Sequence, residues 1–166
     1  MTPQQEYISL YKKMADLCEQ QGWGDPFSYA RSKEILATIK LGHTLPGPNV
    51  FAGADAINEK GQPVEYKSTI SKNCKGSYTG VSVQKTWEEQ QKYLITKKIG
   101  TYPEHYYNRF EDGRLVESWK LSGKDVLSIL LPKIHKQFHS DSKRKDPRLR
   151  ANITWREIQK YGKQVI

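Results

Sequence analysis

The sequence predicts an α+β or mixed-sheet domain, and three observations carry that expectation. Two pairs of runs rich in β-branched and aromatic residues, 50–57 with 63–70 and 105–110 with 114–121, are each joined by a polar, glycine-containing turn. Amphipathic helical spacing occupies 4–21 and about 123–139. No internal repeat or low-complexity tract interrupts them. A chain of 166 residues suits one domain, 1–166, and 36% hydrophobic with 11% aromatic residues supplies a packed core.

Taken in order, Tyr7, Leu10, Tyr11, Met14, Leu17 and Cys18 recur at helical spacing, and Gly22 stops the run. That apolar stripe is expected to be core or a subunit contact. Asp25 before Pro26 predicts a cap and first turn for a helix running through Ile35, Leu36 and Ile39 to Gly42. A Leu45-Pro46-Gly47-Pro48 break precedes the first hairpin, whose turn holds Asn58, Glu59, Lys60 and Gly61. Residues 77–84 read as a short strand or extended loop. Thr86 with Glu89 predicts a capping box for a helix toward Lys97. The second hairpin turns at Glu111-Asp112-Gly113. The helix after it is expected to bend or break at Pro132. A last short helix spans 153–161, capped by Asn152 or Thr154. Trp23, Trp87, Trp119 and Trp155 are expected in the core.

Composition excludes several classes. The longest apolar stretch, 126–131, is far short of the roughly 20 residues of a membrane span, so no membrane partner is expected. The first residues carry neither a basic start nor an apolar run, which argues against a secretory signal. Cys18 and Cys74 are too few for a disulfide framework or a four-thiolate zinc site, and a reducing cytoplasm is the expected compartment. The net charge is +9. Twelve of the 27 Lys and Arg lie between Lys120 and the end, against Asp125, Asp141, Asp146 and Glu157, and 143–150 is densest. Such a concentration suits a polyphosphate partner, through counterion release, as well as it suits a solvated basic face.

The chemistry-bearing pattern is Asp55 in the first hairpin strand and Glu65-Tyr66-Lys67 in the second. Strand alternation puts Glu65 and Lys67 on one face and Val64 and Tyr66 on the other. If the register brings Asp55 opposite, two carboxylates and an ammonium converge. Two close carboxylates repel unless a cation joins them, and hard oxygen ligands suit Mg²⁺, with the Tyr66 carbonyl as a further ligand. The Lys67 ammonium can orient a water attacking a phosphodiester. An aspartate followed by Glu-x-Lys on the next strand is the minimal PD-(D/E)XK nuclease pattern, and a salt-bridged strand face is the plainer reading of the same residues.

With Leu45-Pro46-Gly47, Asp55-Ala56, Gly61 and Glu65-Tyr66-Lys67-Ser68 in this order, the chain resembles the type II restriction endonucleases of the PD-(D/E)XK superfamily. Lys75-Gly76, Lys92-Tyr93, Lys124-Asp125-Val126, Ser140-Asp141, Asp146-Pro147 and Tyr161-Gly162-Lys163 extend the resemblance over most of its length. The resemblance implies a restriction endonuclease-like mixed β-sheet core flanked by helices. It implies Asp55 and Glu65 as metal-binding carboxylates, Lys67 as the catalytic lysine, and Tyr93 as a tyrosine assisting near the metal. It further implies Mg²⁺ as cofactor, double-stranded DNA as partner, and a homodimer matching a palindromic target, with the helix at about 4–21 as subunit contact.

Two departures stand out. A family member carries an acidic residue just before its first aspartate, where this chain has Ala52, Gly53 and Ala54. A second metal would need another ligand, and Glu34 is the candidate, with an exposed helix glutamate as the plain alternative. The relative's histidine-rich base-reading segment is replaced by 77–84, where Ser77, Tyr78, Thr79, Ser82 and Gln84 are the candidate base contacts. Tyr78 equally suits the core. Arg148 and Arg150 are the candidate phosphate contacts.

Other signals carry less. His135 and His139 have zinc-ligand spacing but lack the intervening glutamate of a metalloprotease, and read as surface or phosphate-contacting groups. His43 suits a helix-end cap or DNA, and His105 a packed strand position. The expected activity is Mg²⁺-dependent, site-specific hydrolysis of duplex DNA. A structure-specific nuclease such as a junction resolvase, and a non-catalytic DNA-binding module, are the alternatives.

Overall fold

The computed structural model describes residues 1–47, 51, 53–140 and 148–166. Within them the fold is α+β, a five-stranded mixed sheet and a two-stranded ribbon surrounded by helices. Helix α1, Pro3–Gln21, starts from a capping box in which the Thr2 hydroxyl accepts the Gln5 N–H, and ends at Gly22 with φ 65°. Only Cys18 of α1 is buried. Helix α2, Arg31–Leu41, begins later than Pro26, because the Asp25 carboxylate accepts the Phe27 N–H and closes a separate turn instead of capping the helix.

The first hairpin is much shorter on one side than its pattern predicts. Strand β1 is only Ala56–Ile57, paired antiparallel with β2, Pro63–Thr69. Phe51 at φ 47° and Gly53 at φ 89° take left-handed backbone that no strand holds, so Asp55 sits in a bend just before β1 and not within it. Val50 and Ala52 lie outside the described residues. Strand β3, Gly76–Val81, leaves the main sheet. Helix α3, Trp87–Tyr93, has the expected Thr86–Glu89 capping box, and passes into a π-turn at Leu94–Lys98.

Strands β4, Glu104–Glu111, and β5, Arg114–Ser122, form the second hairpin around Asp112 and Gly113, at φ 47° and 74°. Two positive φ angles mark the tight turn that suits the strand twist. Helix α4, Gly123–Phe138, runs unbroken through Pro132. Burial of Val126, Ile129, Leu130 and Ile134 offsets the roughly 3 kcal/mol a mid-helix proline costs. Strand β6, Leu149–Ile153, pairs antiparallel with β3, which makes Asn152 a strand residue and leaves Thr154 to cap α5, Trp155–Tyr161. Strand β7, Lys163–Gln164, closes the sheet edge.

The sheet order is β1-β2-β4-β5-β7, with β2 and β4 parallel and every other pair antiparallel. Its two faces carry separate cores. Val64, Tyr66, Tyr106 and Phe110 meet Ala37 of α2. On the opposite face Tyr107 and Leu121 meet α4, α5 and the β3–β6 ribbon through Leu130, Ile158, Tyr78 and Ile153. Trp87, Trp119 and Trp155 are half-buried at the margin of this cluster, and Trp23 is half-buried elsewhere, so none of the four tryptophans is a central core residue.

Gly76 brings the ribbon against the sheet. A Cβ there would fall 2.3 Å from Cε1 of the buried Tyr107 ring and 3.3 Å from Cγ of Lys67. Gly76→Ala is therefore expected to push β3 off the sheet and cost about 1–3 kcal/mol, measured by urea unfolding; an unchanged midpoint would show that the close approach has no energetic weight.

Candidate functional site

Strand β2 displays its alternation as expected, Val64 and Tyr66 buried, Glu65 and Lys67 half-buried on the other face. The Lys67 ammonium is ion-paired to the Glu65 carboxylate and lies 4.8 Å from the centroid of the Tyr78 ring. Asp55 is brought to this end of β2 by backbone. Its own N–H donates to the Val64 carbonyl at 3.2 Å, and its Oδ2 accepts the Tyr66 N–H at 2.7 Å. Because β1 is only two residues long, the edge of β2 beside Tyr66 has no strand opposite and Asp55 occupies that place. A strand residue turns its N–H and C=O to the same side, so the Tyr66 carbonyl faces this edge too.

The charges at this place are uncomfortable. Burial, with the like charges of Glu65 and Glu34 adding to it, pushes the Asp55 carboxyl up to about 7 even though the Tyr66 N–H and Lys67 favour its anion. Burial raises Glu34 of α2 as well, and its causes include Glu65 and Lys67, which places it in the same field; Arg31 holds it at 3.0 Å. Among the described residues no three His, Cys, Asp or Glu side chains form a closed metal cage. Asp55, Glu65 and the Tyr66 carbonyl are oxygen donors of the kind a hydrated, hard cation such as Mg²⁺ would take, with water or substrate oxygens filling the rest of its shell.

Asp55, Glu65 and Lys67 line a cavity of about 350 Å³. Ser77 and Thr79, outward-facing on β3, supply hydroxyls to it, and Lys97, Lys98 and Tyr102 complete its wall. The Tyr102 hydroxyl donates to the Gly53 carbonyl at 2.9 Å, tying the bend before Asp55 to the segment before β4. Burial, followed by the Glu65 and Asp55 charges, raises that phenol to about 12. Neither lysine nor Tyr102 is singled out by the sequence pattern. The only local signal is the adjacency of two lysines ahead of Gly100.

Beneath the cavity floor lies a buried hydrogen-bond chain. The Tyr78 hydroxyl is 2.9 Å from His105 Nδ1 and 2.8 Å from the Tyr107 hydroxyl, and His105 Nε2 is 3.2 Å from the Ile99 carbonyl. A carbonyl can only accept, so Nε2 carries the proton, Nδ1 accepts from Tyr78, and Tyr107 donates to Tyr78. Burial drives the imidazole down to about 4, and His105 is neutral. Tyr78 thus takes the core position its residue type also suited, its hydroxyl engaged below the cavity, while Ser77 and Thr79 on either side face outward.

Tyr93 packs half-buried against the main core and does not line the cavity. Ser82 is exposed beyond β3, and Gln84 is held at the start of α3, its N–H donating to Gln90 Oε1 at 2.8 Å. Arg150 projects outward from β6 while Gln137 binds its backbone, accepting the Arg150 N–H at 3.2 Å. Arg148 is exposed just before β6, near Gly80 of β3. The basic residues at 143–147, and Asp141 and Asp146, lie outside the described residues. His43 caps α2 through its backbone, its N–H donating to the Thr38 carbonyl at 2.9 Å, while its ring turns away from the cavity, with Nδ1 2.7 Å from the Tyr66 hydroxyl and the ring edge-on to Tyr106. His135 and His139 are exposed neighbours at 4.5 Å between ring centres, beside Trp87.

Neither a protein-family model nor a curated protein matches the chain. No helix among the described residues is long and apolar enough to cross a membrane.

The raised Asp55 carboxyl has a measurable consequence. Its folded value near 7 exceeds the ordinary aspartate value, so the folded chain binds the extra proton between about pH 4 and 7, and stability falls as pH rises through that window. Asp55→Asn removes this loss. In metal-free buffer at pH 8 the variant is expected to be more stable than the unmutated protein, by up to about 4 kcal/mol, and equal to it near pH 4. Denaturant titrations at the two pH values check it; a less stable variant at pH 8 would contradict the buried charge.

Proposed function

We propose that the chain is a Mg²⁺-dependent endonuclease that hydrolyses double-stranded DNA at a short palindromic site as a homodimer, in the manner of type II restriction enzymes. The observation that carries this reading is the shared cavity of Asp55, Glu65 and Lys67, opening beside the outward hydroxyls of β3. Asp55, Glu65 and the Tyr66 carbonyl would hold the ion, with Glu34 near enough in charge to serve a second. When bound, Mg²⁺ supplies charge neutralisation at the phosphoryl oxygens and lowers the pKa of a coordinated water. Lys67, held by Glu65 and the Tyr78 ring, orients the attacking water for in-line displacement and stabilises its developing negative charge.

The β3–β6 ribbon suits the DNA side of the reaction. Ser77 and Thr79 on one strand and Arg150 and Asn152 on the other project from the ribbon face opposite the core. A two-stranded ribbon fits the major groove, where hydroxyls read base edges while arginines hold phosphates. The dimer contact falls to α1, whose Tyr7, Leu10, Met14 and Leu17 stay exposed at one helical spacing. Leu10 is 56% exposed, and a stripe of this kind is unfavourable in water unless a partner covers it.

Incubation of the protein with supercoiled plasmid and Mg²⁺ is expected to give discrete fragments. Intact plasmid would leave a DNA-binding module, and cutting confined to branched substrates would favour a junction resolvase. Lys67→Ala should lower cleavage by at least about 100-fold while duplex binding in Ca²⁺ persists; undiminished cutting would refute its role. Sedimentation equilibrium should report a dimer, and Leu10→Glu with Met14→Glu a monomer of unchanged helix content.

A further inference from the structure

The cavity has a basic wall that the proposed hydrolysis leaves unused. Lys97 and Lys98 line it from the Leu94–Lys98 π-turn, both exposed. No carboxylate among the described residues forms an ion pair with either one. Two lysines therefore border the same space as Asp55 and Glu65 with no ion pair to either carboxylate.

The backbone that presents them is held at both ends. Leu94 and Ile99 are buried in the main core, and the Ile99 and Gly100 N–H groups both donate to the Leu94 carbonyl, at 2.9 and 3.0 Å. The Ile99 carbonyl is bound by His105. Gly100 completes the turn because a Cβ there would lie 2.3 Å from the Ile95 carbonyl oxygen. π-turns are rare, and cluster at functional sites, because the wider ring costs packing and hydrogen-bond geometry. Here the turn carries two consecutive lysines at the cavity wall.

We propose that the Leu94–Lys98 turn is a phosphate clamp, its two ammonium groups holding the backbone of the DNA strand whose reacting phosphate meets Asp55 and Glu65. The inference rests on the nuclease reading and adds a ligand subsite to it. Lysine suits this task, since a flexible, strongly charged arm tracks phosphates without demanding base identity. The clamp is separate from Lys67, which acts at the attacking water.

The test is the salt dependence of binding of a labelled mixed-sequence duplex, followed by anisotropy in Ca²⁺ between about 50 and 200 mM salt. Lys97→Ala and Lys98→Ala should each lower the slope of log Kd against log salt by about 0.9, and the double variant by twice as much. The double arginine variant should restore the slope. With Mg²⁺ and plasmid, KM should rise in the double alanine variant while kcat is retained, the pattern of lost uniform binding. Lys60→Ala, exposed in the turn between β1 and β2, serves as the control for a general loss of positive charge. An unchanged slope in the double variant, or an equal fall in the control, overturns the clamp and leaves the nuclease reading intact. A wild-type protein that neither binds nor cuts duplex overturns both.

Discussion

A single hydrogen bond from the Tyr66 N–H to the Asp55 carboxylate organises this molecule around a charge conflict. It exists because β1 stops after two residues, so the open edge of β2 must satisfy its backbone donors with something other than a strand. The aspartate that does so is thereby fixed beside Glu65, at the cost of burying like charges together. A fold built only for stability would place a neutral acceptor there. A carboxylate kept where it is hard to ionise is a feature that sites for a cation or for proton transfer share with some structural ion-pair networks.

The second organising feature is the chain of Tyr107, Tyr78 and His105 under the cavity floor. It links β4, β3 and the π-turn through hydroxyls and one imidazole with a defined tautomer. Three elements that bear on the cavity, carrying respectively the sheet, the outward hydroxyls and the lysine pair, are thus locked to one another by polar groups rather than by apolar contact alone. Such networks specify one arrangement, because every member left without its partner would pay the desolvation cost of a buried polar group. Gly76 permits the same convergence sterically, letting β3 approach Tyr107 and the Lys67 stem.

Much was legible from local pattern. The capping box at Thr86, the tight turn at Asp112 and Gly113, and the alternation that separates Glu65 and Lys67 from Val64 and Tyr66 all follow from chemistry within a few residues, whereas the choice of Thr154 over Asn152 as a cap did not. Less legible was Asp55, which read as a strand residue because its neighbours are apolar, although the positive φ angles at Phe51 and Gly53 remove that stretch from the sheet. Helix α2 misled in the same way, since Asp25 before Pro26 caps a turn as readily as a helix.

By itself, then, the order of residues determined which segments are helical, several of their caps, which side chains share a strand face, and that a carboxylate–ammonium pair lies on β2. Those properties depend on dihedral preference and periodicity, both of which are local. The meeting of Asp55 with β2, the inward turn of Tyr78, the parallel pairing of β2 with β4 and the arrival of Lys97 and Lys98 at the same cavity came from packing in three dimensions. They join residues far apart in the chain. Whether such residues touch depends on register and on the loop-closure entropy offset by the whole core, quantities that no short window of sequence contains.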